Sequence, residues 1–479
     1  MNAMDSLFMM QASDVAKALG AELIGGDAGE RANISRVTTD SRSVQPGDLF
    51  VALVGPTFDG HDFAMKAAQS GATAVLVSRA LAANVGAQTM VPQIVVPDTR
   101  LALGRLARWW RRRFALPMIA LTGSNGKTST KEMLRSILAV HSGAQGGDGE
   151  SVLATEGNLN NDIGMPLTLL RLRAHHRYAV IEMGMNHLLE IDYLTRLAEP
   201  DVALVINAGT AHIGELGSRE AIAQAKGEIY AGLKAGGIAV INLHDRFGSY
   251  WQGLVADMPG VKPLTFGVLP EDDVWGEFNG DVLTIHHAGE QVDVTLAVPG
   301  DHNLRNALAA AAGAVALGVP LANIREGLLR FRGVSGRMQM LPGDNGARVI
   351  HDAYNANPDS VRAAIDVLAQ RPGRRILVLG DMGELGADAE RMHAEIGDYI
   401  KGAGLDGLFA LGKLTEHTVL QLAANAWHFD DATELAEELR KHMDADTTVL
   451  VKGSRFMKME RVVEQIAIGF DADKRAEAH

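Results

Sequence analysis

The segment over residues 118–140 constrains the fold more than any other part of the chain. Residues 118–121 (MIAL) form an apolar run, residues 123–126 (GSNG) a glycine-flanked turn, and residues 127–140 a helical pattern. A strand, a tight glycine turn and a helix direct backbone N–H groups and the positive end of a helix towards a phosphate. This pattern indicates an α/β domain with a nucleoside-triphosphate site.

The side chains of this turn suit a nucleotide and a metal ion. Glycine lets the backbone approach a phosphate and adopt positive φ. Lys127 supplies a point charge for the β- and γ-phosphates, and the hydroxyl of Thr128 can bind Mg²⁺. The standard Walker A spacing has glycine at position 121, where this chain has Leu121, so the loop is one residue short. The alternative is a turn at a helix start with no ligand, which the preceding strand disfavours. The predicted phosphate-binding residues are Gly123, Ser124, Asn125, Gly126, Lys127, Thr128 and Ser129.

The shortened loop over residues 122–128 (TGSNGKT) resembles that of the Mur ligase family, the ATP-dependent amide-forming enzymes of peptidoglycan synthesis. At 479 residues the chain is also too long for one core. The resemblance implies three α/β domains. We expect a UDP-substrate-binding domain over residues 1–103 and a central, parallel-sheet P-loop ATPase domain over 104–333. A doubly wound, Rossmann-like domain over 334–479 would then close on ATP and bind the dipeptide.

The composition disfavours several classes of function. A net charge of −13 disfavours nucleic acid or an anionic membrane as the main partner. The chain has no cysteine, which fits a reducing compartment, and residues 1–10 lack the basic region of a signal peptide. The uncharged segment 306–324 is rich in alanine and glycine, which predicts a buried helix ending near Gly318 rather than a membrane span. We expect a cytoplasmic monomer.

Residues 101–114 combine five arginines with two tryptophans. Such a stretch can bind nucleic acid. At helical spacing, however, Leu103, Leu106 and Trp110 form an apolar face and the arginines a solvated one. Because the segment directly precedes the phosphate loop, we favour an interdomain helix.

The N-terminal hundred residues contain a helix over 13–20, capped at Ser13, and strands over 49–53 and 74–77. Polar clusters flank the first strand, at 39–42 (TDSR) and 59–62 (DGHD). Taken alone, each cluster is typical of a turn with side-chain-to-backbone hydrogen bonds. Their order resembles the N-terminal domain of the family, which implies that Ser41 and Arg42 bind the UDP end of the substrate.

Three asparagines lie within four positions of the segment 155–166 (TEGNLNNDIGMP). Amides both donate and accept hydrogen bonds, which suits a peptide or sugar ligand, although a helix cap is the simpler alternative. The segment is similar to the substrate-recognition segment of the family members that add D-alanyl-D-alanine. The residues concerned are Asn158, Asn160 and Asn161. The glycine-rich stretch before it, 142–151, is long for the family and predicts a mobile loop.

Two sets of residues are candidate metal ligands. Glu182 ends an apolar strand at the carboxyl edge of the expected parallel sheet, where it can hold Mg²⁺ together with Thr128. His212 and Lys226 could instead be a hydrogen-bonded core histidine and a solvated lysine. The resemblance implies a second Mg²⁺ site in which His212 is a ligand and Lys226 is carbamylated. Carbamylation requires a neutral amine, hence a desolvated lysine with a lowered pKa.

Further residues are candidates for the adenosine half of ATP. Asn303 and Asn306 lie on one face of a predicted helix, where they could act as caps, whereas the resemblance implies that they contact the adenine. It also implies contacts of Arg337 with the phosphates, Asp352 with the ribose and Asn355 with the edge of the base.

The C-terminal third restarts an alternation of strands and helices. Strands are predicted at 349–350, 376–379, 408–411 and 449–451, which indicates a second doubly wound unit. The segment 380–386 (GDMGELG) follows a strand but lacks the spacing of a dinucleotide fingerprint. Residues 451–455 (VKGSR) resemble a substrate-facing loop, which makes Lys452 a candidate.

The reaction implied by the resemblance joins D-alanyl-D-alanine to UDP-N-acetylmuramoyl-tripeptide. ATP would phosphorylate the tripeptide carboxylate, and the dipeptide amine would attack the acyl phosphate. Lys127 and two Mg²⁺ ions would neutralise the phosphoryl group. Two alternatives remain: a sibling ligase, such as one that adds the third amino acid or polyglutamylates folate, and a binding protein that uses ATP to change shape.

Overall fold

The computed structural model describes residues 8–81, 91–147, 149–422 and 424–471. Residues 1–7, on which the prediction about a signal peptide partly rests, lie outside these ranges. Within them the chain forms three large sheets that follow one another along the sequence, each packed against helices. The predicted α/β class is therefore confirmed.

The N-terminal unit is built on a sheet of order β2-β7-β6-β5-β4, in which only β2 is antiparallel to its neighbour. Its strands are β1 (Met10–Gln11), β2 (Glu22–Ile24), β3 (Asn33–Ile34), β4 (Arg36–Thr38), β5 (Asp48–Val51), β6 (Ala74–Val77) and β7 (Gln93–Val95). Its helices are α1 (Ala12–Leu19), α2 (Gly26–Glu30), α3 (His61–Gln69) and α4 (Thr99–Arg111). Helix α1 begins before the predicted cap Ser13, because Asp14 accepts the backbone N–H of Gln11 at 3.0 Å.

The central unit contains nine strands and eight α-helices among the described residues. The strands are β8 (Met118–Thr122), β9 (Val152–Ala154), β10 (Tyr178–Glu182), β11 (Val202–Val205), β12 (Ile238–Asn242), β13 (Lys262–Gly267), β14 (Val274–Asn279), β15 (Val282–His287) and β16 (Glu290–Thr295). The helices are α5 (Lys127–Ala144), α6 (Gly164–Leu169), α7 (Glu190–Ala198), α8 (Ile213–Leu216), α9 (Arg219–Gly227), α10 (Gly248–Ala256), α11 (Asp301–Ala316) and α12 (Leu321–Arg330).

Strand β8, which leads into the phosphate loop, lies in the interior of this sheet. It runs parallel to β10 and β11, with Leu121 opposite both Glu182 and Leu204. Every residue of β8 is buried, as expected for a parallel strand covered on both faces. Because the carboxyl ends of parallel strands meet at one edge, the phosphate loop, Glu182 and the segment after β11 share that edge.

The far side of the central sheet departs from the predicted parallel sheet. Strands β14, β15 and β16 form an antiparallel ribbon on the edge of the parallel sheet. The two-residue turn between β14 and β15 is Gly280-Asp281, with Gly280 at φ +60°, and a Gly-Asp pair before the alternating pattern of β15 is a hairpin signal. The ribbon was thus readable from the sequence, and the prediction missed it.

Helix α4 packs against α1 of the N-terminal unit and against α6 and α7 of the central unit, which confirms the interdomain helix. Its arginines contact protein: Arg108 and Arg112 pair with Glu199, and the buried Arg111 donates to the carbonyls of Ala198 and Phe114 at 3.0 and 2.6 Å. The predicted domain boundary at 103 falls inside α4.

The glycine-rich stretch 142–151, predicted as a mobile loop, makes contacts at both of its ends. Helix α5 continues to Ala144. The hydroxyls of Ser142 and Ser151 are both buried and lie 2.6 Å apart, and Arg177 donates to the carbonyl of Gln145 at 2.9 Å. These contacts close the stretch at its base.

The uncharged segment beginning at Asn306 forms most of α11, which is buried along nearly its whole length and ends at Ala316, with Gly318 at φ +73°. This confirms the predicted buried helix. Across the described residues, no helix is both long and apolar enough to span a bilayer.

The C-terminal unit is a sheet of order β17-β18-β22-β19-β20-β21, in which only β17 is antiparallel. Its strands are β17 (Gln339–Pro342), β18 (Arg348–Asp352), β19 (Arg374–Gly380), β20 (Gly407–Leu411), β21 (Ala426–Phe429) and β22 (Thr447–Lys452). Its helices are α13 (Pro358–Ala369), α14 (Ala389–Ala403), α15 (Glu416–Val419), α16 (Ala432–Arg440) and α17 (Glu460–Ile466). The four predicted strands are confirmed as β18, β19, β20 and β22. The prediction missed the two edge strands, which are less buried.

Candidate active site

The phosphate loop is fixed by hydrogen bonds to the segment that follows β11. The side-chain oxygen of Asn207 accepts the backbone N–H groups of Ser124 and Asn125, each at 3.0 Å. Gly126 has φ +83°, and a Cβ there would lie 2.1 Å from the side-chain oxygen of Asn306. Glycine is favoured here because of the positive φ, and a larger residue would also displace the side chain of Asn306.

Lys127, the first residue of α5, folds back over the loop. Its ammonium donates to the carbonyl of Gly123 at 2.8 Å. Desolvation lowers the pKa of Lys127, and the nearby charge of Glu182 offsets part of this effect. The ammonium is therefore held over the loop, where a phosphate would bind.

Glu182 lies at the centre of a small polar cluster and is only 2% exposed. One carboxylate oxygen accepts the hydroxyl of Thr128 at 3.1 Å, and the other accepts the amide of Asn160 at 2.7 Å. Arg337, from the C-terminal unit, donates to the same Thr128 hydroxyl at 3.0 Å. The structure thus joins residues of three predicted groups: metal-binding, substrate-binding and phosphate-binding.

This cluster fits a magnesium ion. A buried carboxylate and a hydroxyl are hard oxygen donors, and Mg²⁺ in phosphate-transfer sites commonly takes one or two carboxylates together with phosphate oxygens and water. In the part of the chain that the structure describes, no three His, Cys, Asp or Glu side chains gather as a complete metal cage. The site is therefore suited to an ion brought in with a nucleotide.

Lys226, on α9, is only 1% exposed. No carboxylate within the described ranges forms an ion pair with it. Burial lowers the pKa of Lys226 well below its ordinary value, and repulsion from Lys127 lowers it further. The neutral amine that carbamylation requires is thus favoured at this position.

His212 precedes helix α8 and has φ +65°. Its Nδ1 lies 2.8 Å from an oxygen of Glu384 in the C-terminal unit, an ion-pair contact outside the angular range of a hydrogen bond. His212 lines the larger cavity of the molecule, whereas Lys226 is not among its lining residues.

The C-terminal unit reaches the phosphate loop through residues that the sequence did not single out. The amide of Asn357 donates to the side chain of Asn125 at 2.8 Å. The carboxylate of Asp359 accepts the backbone N–H and the hydroxyl of Thr210 at 2.7 and 2.9 Å. Asn357 belongs to the stretch 352–358, which resembles an element of the family that closes on ATP, although no contact was assigned to it. Only its place in the first turn of α13, next to Pro358, marks Asp359 in the sequence.

Lys452 is engaged within its own unit. Its buried ammonium lies 2.6 Å from the carboxylate of Asp352 and donates to the carbonyl of Asn355 at 3.0 Å. Arg455, three residues later, lines the cavity with its guanidinium 5.9 Å from the ring of Tyr354. In this segment Arg455 is therefore the more accessible cation, and the sequence prediction missed it.

Two cavities meet at the phosphate loop. The larger, of about 980 Å³, contains most of the predicted site residues. Those on its wall are Ser124, Asn125, Gly126, Lys127, Ser129, Asn158, Asn160, Asn161, Glu182, His212, Asn303, Asn306, Arg337, Asp352, Asn355 and Lys452. A smaller cavity of about 230 Å³ shares Asn125, Gly126, His302 and Asn306 with it.

Ser41 and Arg42 are not on either wall. The guanidinium of Arg42 is 85% exposed and lies 2.8 Å from the carboxylate of Asp40, in the turn that follows strand β4. The structure therefore does not bring these two residues to the phosphate loop, and their predicted contact with the UDP end of a substrate remains a prediction.

Three family models match successive parts of the chain: the Mur ligase family catalytic domain over residues 33–111, the Mur ligase middle domain over 121–314, and the Mur ligase glutamate ligase domain over 336–455. The chain is 41% identical to the UDP-N-acetylmuramoyl-tripeptide–D-alanyl-D-alanine ligase of Escherichia coli K12, over 97% of this chain and 99% of that one. The chain belongs to the Mur ligase family.

Other members of the Mur ligase family are similar along nearly their whole length. The Haemophilus influenzae enzyme of the same name is 40% identical, over 94% of this chain and 96% of that one. The crystal structure of MurF from Acinetobacter baumannii superposes with a TM-score of 0.86 and 36% identity, covering 96% and 99% of the two chains. That of MurF ligase from Thermotoga maritima in complex with ADP has a TM-score of 0.76 and 29% identity, covering 90% and 96%.

Proposed function

We propose that the chain is an ATP-dependent ligase that joins D-alanyl-D-alanine to UDP-N-acetylmuramoyl-tripeptide, in peptidoglycan precursor synthesis. The observation that carries the proposal is the 41% identity to the E. coli enzyme of that name over 97% of this chain. The cavity supports it, because the phosphate loop and the asparagine-rich segment line one space of about 980 Å³, at the upper end of the range for small-molecule sites.

The nucleotide is ATP in this proposal. The Thermotoga maritima relative was crystallised with ADP, and here Lys127 and Arg337 approach the phosphate loop from two units. A carboxylate oxygen of the tripeptide attacks the γ-phosphorus, the bond to the β-phosphate oxygen breaks, and ADP leaves. Lys127 is placed to neutralise the charge that the phosphoryl group carries during transfer.

The second half of the reaction forms the amide. The amine of D-alanyl-D-alanine attacks the acyl carbon, the tetrahedral intermediate collapses, and the carbon–oxygen bond to the phosphate breaks. The amine loses a proton and inorganic phosphate leaves. Cationic side chains around the cavity stabilise the departing phosphate.

Thr128 and Glu182 would hold one magnesium ion, and His212 and a modified Lys226 a second, which would supply positive charge to the phosphates when bound. The modification of Lys226 is a carbamate, formed when the neutral amine adds to carbon dioxide and releases a proton. The burial of Lys226, its lowered pKa and the lack of a carboxylate partner among the described residues support this assignment.

The remaining substrate contacts follow the three predicted domains, 1–103, 104–333 and 334–479. Ser41 and Arg42 bind the UDP end, and Asn158, Asn160 and Asn161 the tripeptide. Asn303 and Asn306 contact the adenine, Asp352 the ribose and Asn355 the base edge, while residues 451–455 face the dipeptide. All of these residues belong to one chain, which supports a monomer. The need for ATP and a UDP-linked substrate supports a cytoplasmic location.

The decisive experiment is an omission series that follows phosphate release. We expect release only when ATP, UDP-N-acetylmuramoyl-tripeptide and D-alanyl-D-alanine are all present, with one phosphate per amide formed. Equal release without the dipeptide would overturn the ligase and favour a protein that uses ATP to change shape. Release that requires a single amino acid in place of the dipeptide would favour a sibling ligase.

A further inference from the structure

The segment over residues 380–386 has no role in the function proposed so far. Its residue Glu384, between Gly383 and Gly386, brings a negative charge to a site otherwise rich in cations. The segment follows strand β19 and extends into the central unit. The carbonyl of Glu384 accepts the backbone N–H of Gly214 at 2.9 Å. The side chain of the same residue lies 2.8 Å from Nδ1 of His212. One residue thus contacts the central unit through both its backbone and its side chain.

The segment is held in an unfavourable conformation by its own unit. Glu384 has φ +61°, a left-handed conformation that side chains other than glycine and asparagine rarely adopt. The fully buried His393 accepts the N–H of Met382 at 3.0 Å, and the hydroxyl of Ser454 accepts the N–H of Gly383 at 2.7 Å. A strained residue that its surroundings hold in place is characteristic of a functional contact.

The backbones of the two units approach so closely at Gly214 that there is no room for a side chain at this position. A Cβ at Gly214 would lie 2.5 Å from the backbone nitrogen of Gly386 and 2.7 Å from the carbonyl oxygen of Glu384. Gly214 is therefore required by the contact itself rather than by its own backbone angles.

We propose that Glu384 is a positioning residue for His212, and that the segment 380–386 is a latch that holds the C-terminal unit against the central unit. This inference rests on the proposed function for the role of His212 as a ligand. The carboxylate lies 2.8 Å from Nδ1, so it engages that side of the ring and leaves Nε2 as the nitrogen that can bind a ligand. Because the carboxylate belongs to the other unit, His212 is oriented only when the units are closed.

The latch is tested with the pair Gly214→Ala and Gly253→Ala, both glycines in helices of the central unit. A Cβ at Gly253 meets no atom within 4 Å, so this variant is the matched control. The chain has no cysteine, so dyes can be attached specifically to cysteines introduced at the exposed positions Ala322 and Lys401, one in each unit. Energy transfer between the dyes then reports closure with a non-hydrolysable ATP analogue.

We expect Gly214→Ala to lower the closed fraction at least threefold and turnover at least tenfold, while Gly253→Ala matches the parent in both. A closed fraction for Gly214→Ala equal to that of its control would overturn the latch. Because closure is measured without the dipeptide, this result stands even if the parent fails to make the proposed amide.

The positioning role is tested with Glu384→Gln against Glu437→Gln, an exposed glutamate of the same unit. The amide introduced at position 384 keeps the backbone contact with Gly214 but removes the negative charge beside His212. We expect kcat to fall about tenfold, with the closed fraction and the KM for the UDP-linked substrate within twofold of the parent. If the turnover of Glu384→Gln is within twofold of that of Glu437→Gln, the positioning role is overturned. A lower melting temperature of Glu384→Gln with no change in kcat would also overturn it.

Discussion

The two sides of the main cavity are built in different ways. On the phosphate-loop side the contacts are local or lie within one sheet: the ammonium of Lys127 reaches the carbonyl of Gly123, four residues away. On the C-terminal side they join distant parts of the chain: Asn125 and Asn357 are 232 residues apart, and Thr210 and Asp359 are 149 apart. The first side is complete once the central sheet folds, whereas the second exists only when two units close.

This difference separates two kinds of effect. Substitutions on the phosphate-loop side remove charge from the reacting groups, so they should lower turnover with little effect on closure. Substitutions of the residues that bridge the units should weaken closure and change the apparent affinity for ATP. The following predictions test this separation, from the largest expected effect to the smallest.

Lys127→Ala is expected to lower turnover by about a hundred- to a thousandfold, because it removes a charge that stabilises the transferring phosphoryl group and no core volume. Turnover at saturating ATP measures the loss, and circular dichroism should report an unchanged fold. Lys262→Ala, at an exposed lysine of the same sheet, is the control. Near-full activity of Lys127→Ala would contradict the assignment of turnover to charges on the phosphate-loop side.

Lys226→Ala is expected to lose about a hundredfold or more of its activity, since the carbamate would be missing. Short carboxylic acids should restore part of it by filling the vacated anion site. Lys226→Arg should stay inactive because guanidinium does not form the carbamate. An arginine variant as active as the parent would contradict the modification and leave only a positive charge at this position.

The pH dependence of the parent gives a second test of Lys226. Because burial lowers its pKa, more neutral amine is present at a given pH than for an ordinary lysine. Acidification converts the amine to ammonium and removes the carbamate. Activity should therefore fall as the pH falls, and added bicarbonate should shift the fall to lower pH. A profile that bicarbonate leaves unchanged would contradict the prediction.

Glu182→Gln should raise the Mg²⁺ concentration for half-maximal activity about tenfold. The amide keeps the shape of the side chain and its position between Thr128 and Asn160 but removes the negative charge. A magnesium titration at fixed ATP measures the shift. An unchanged titration would mean that the carboxylate is not a ligand.

Asp359→Asn should have the smallest effect, a five- to tenfold rise in the KM for ATP, which corresponds to about 1–1.4 kcal/mol for one interdomain contact. Turnover at saturating ATP should change less than twofold, in contrast to Lys127→Ala. Asp398→Asn, at an exposed aspartate of the same unit, is the control. A loss confined to turnover would contradict the assignment of Asp359 to closure.

The phosphate-loop side of the cavity was predicted well from the sequence. The strand, turn and helix from Met118 to Ala144 form a contiguous pattern whose geometry follows from its own residues. The burial of Lys226 was implied by the resemblance to the family, whereas the residues alone left a solvated lysine open; the side chain is buried, which lowers its pKa. The edge ribbon β14–β16 was missed although Gly280-Asp281 marks its first turn, because the parallel sheet was expected to continue to the end of the central domain.

The contacts on the C-terminal side of the cavity could not be predicted in the same detail. The contacts of Asn357, Asp359 and Glu384 with the central unit depend on how two separate sheets meet, and no local pattern encodes that arrangement. Lys452 illustrates the limit: its motif suggested a substrate contact, but the fold places its ammonium against Asp352. A buried cation next to a carboxylate is recognisable only in three dimensions.

The central claim, that a carboxylate is activated as an acyl phosphate in this cavity, has one direct test. UDP-N-acetylmuramoyl-tripeptide labelled with ¹⁸O in its terminal carboxylate is converted with ATP and D-alanyl-D-alanine, and the inorganic phosphate is analysed by mass spectrometry. We predict one ¹⁸O atom in the phosphate for each amide formed, because the bridging oxygen of the acyl phosphate leaves with the phosphorus. Unlabelled phosphate released alongside amide formation would contradict it, since the phosphoryl group would then have been transferred to water.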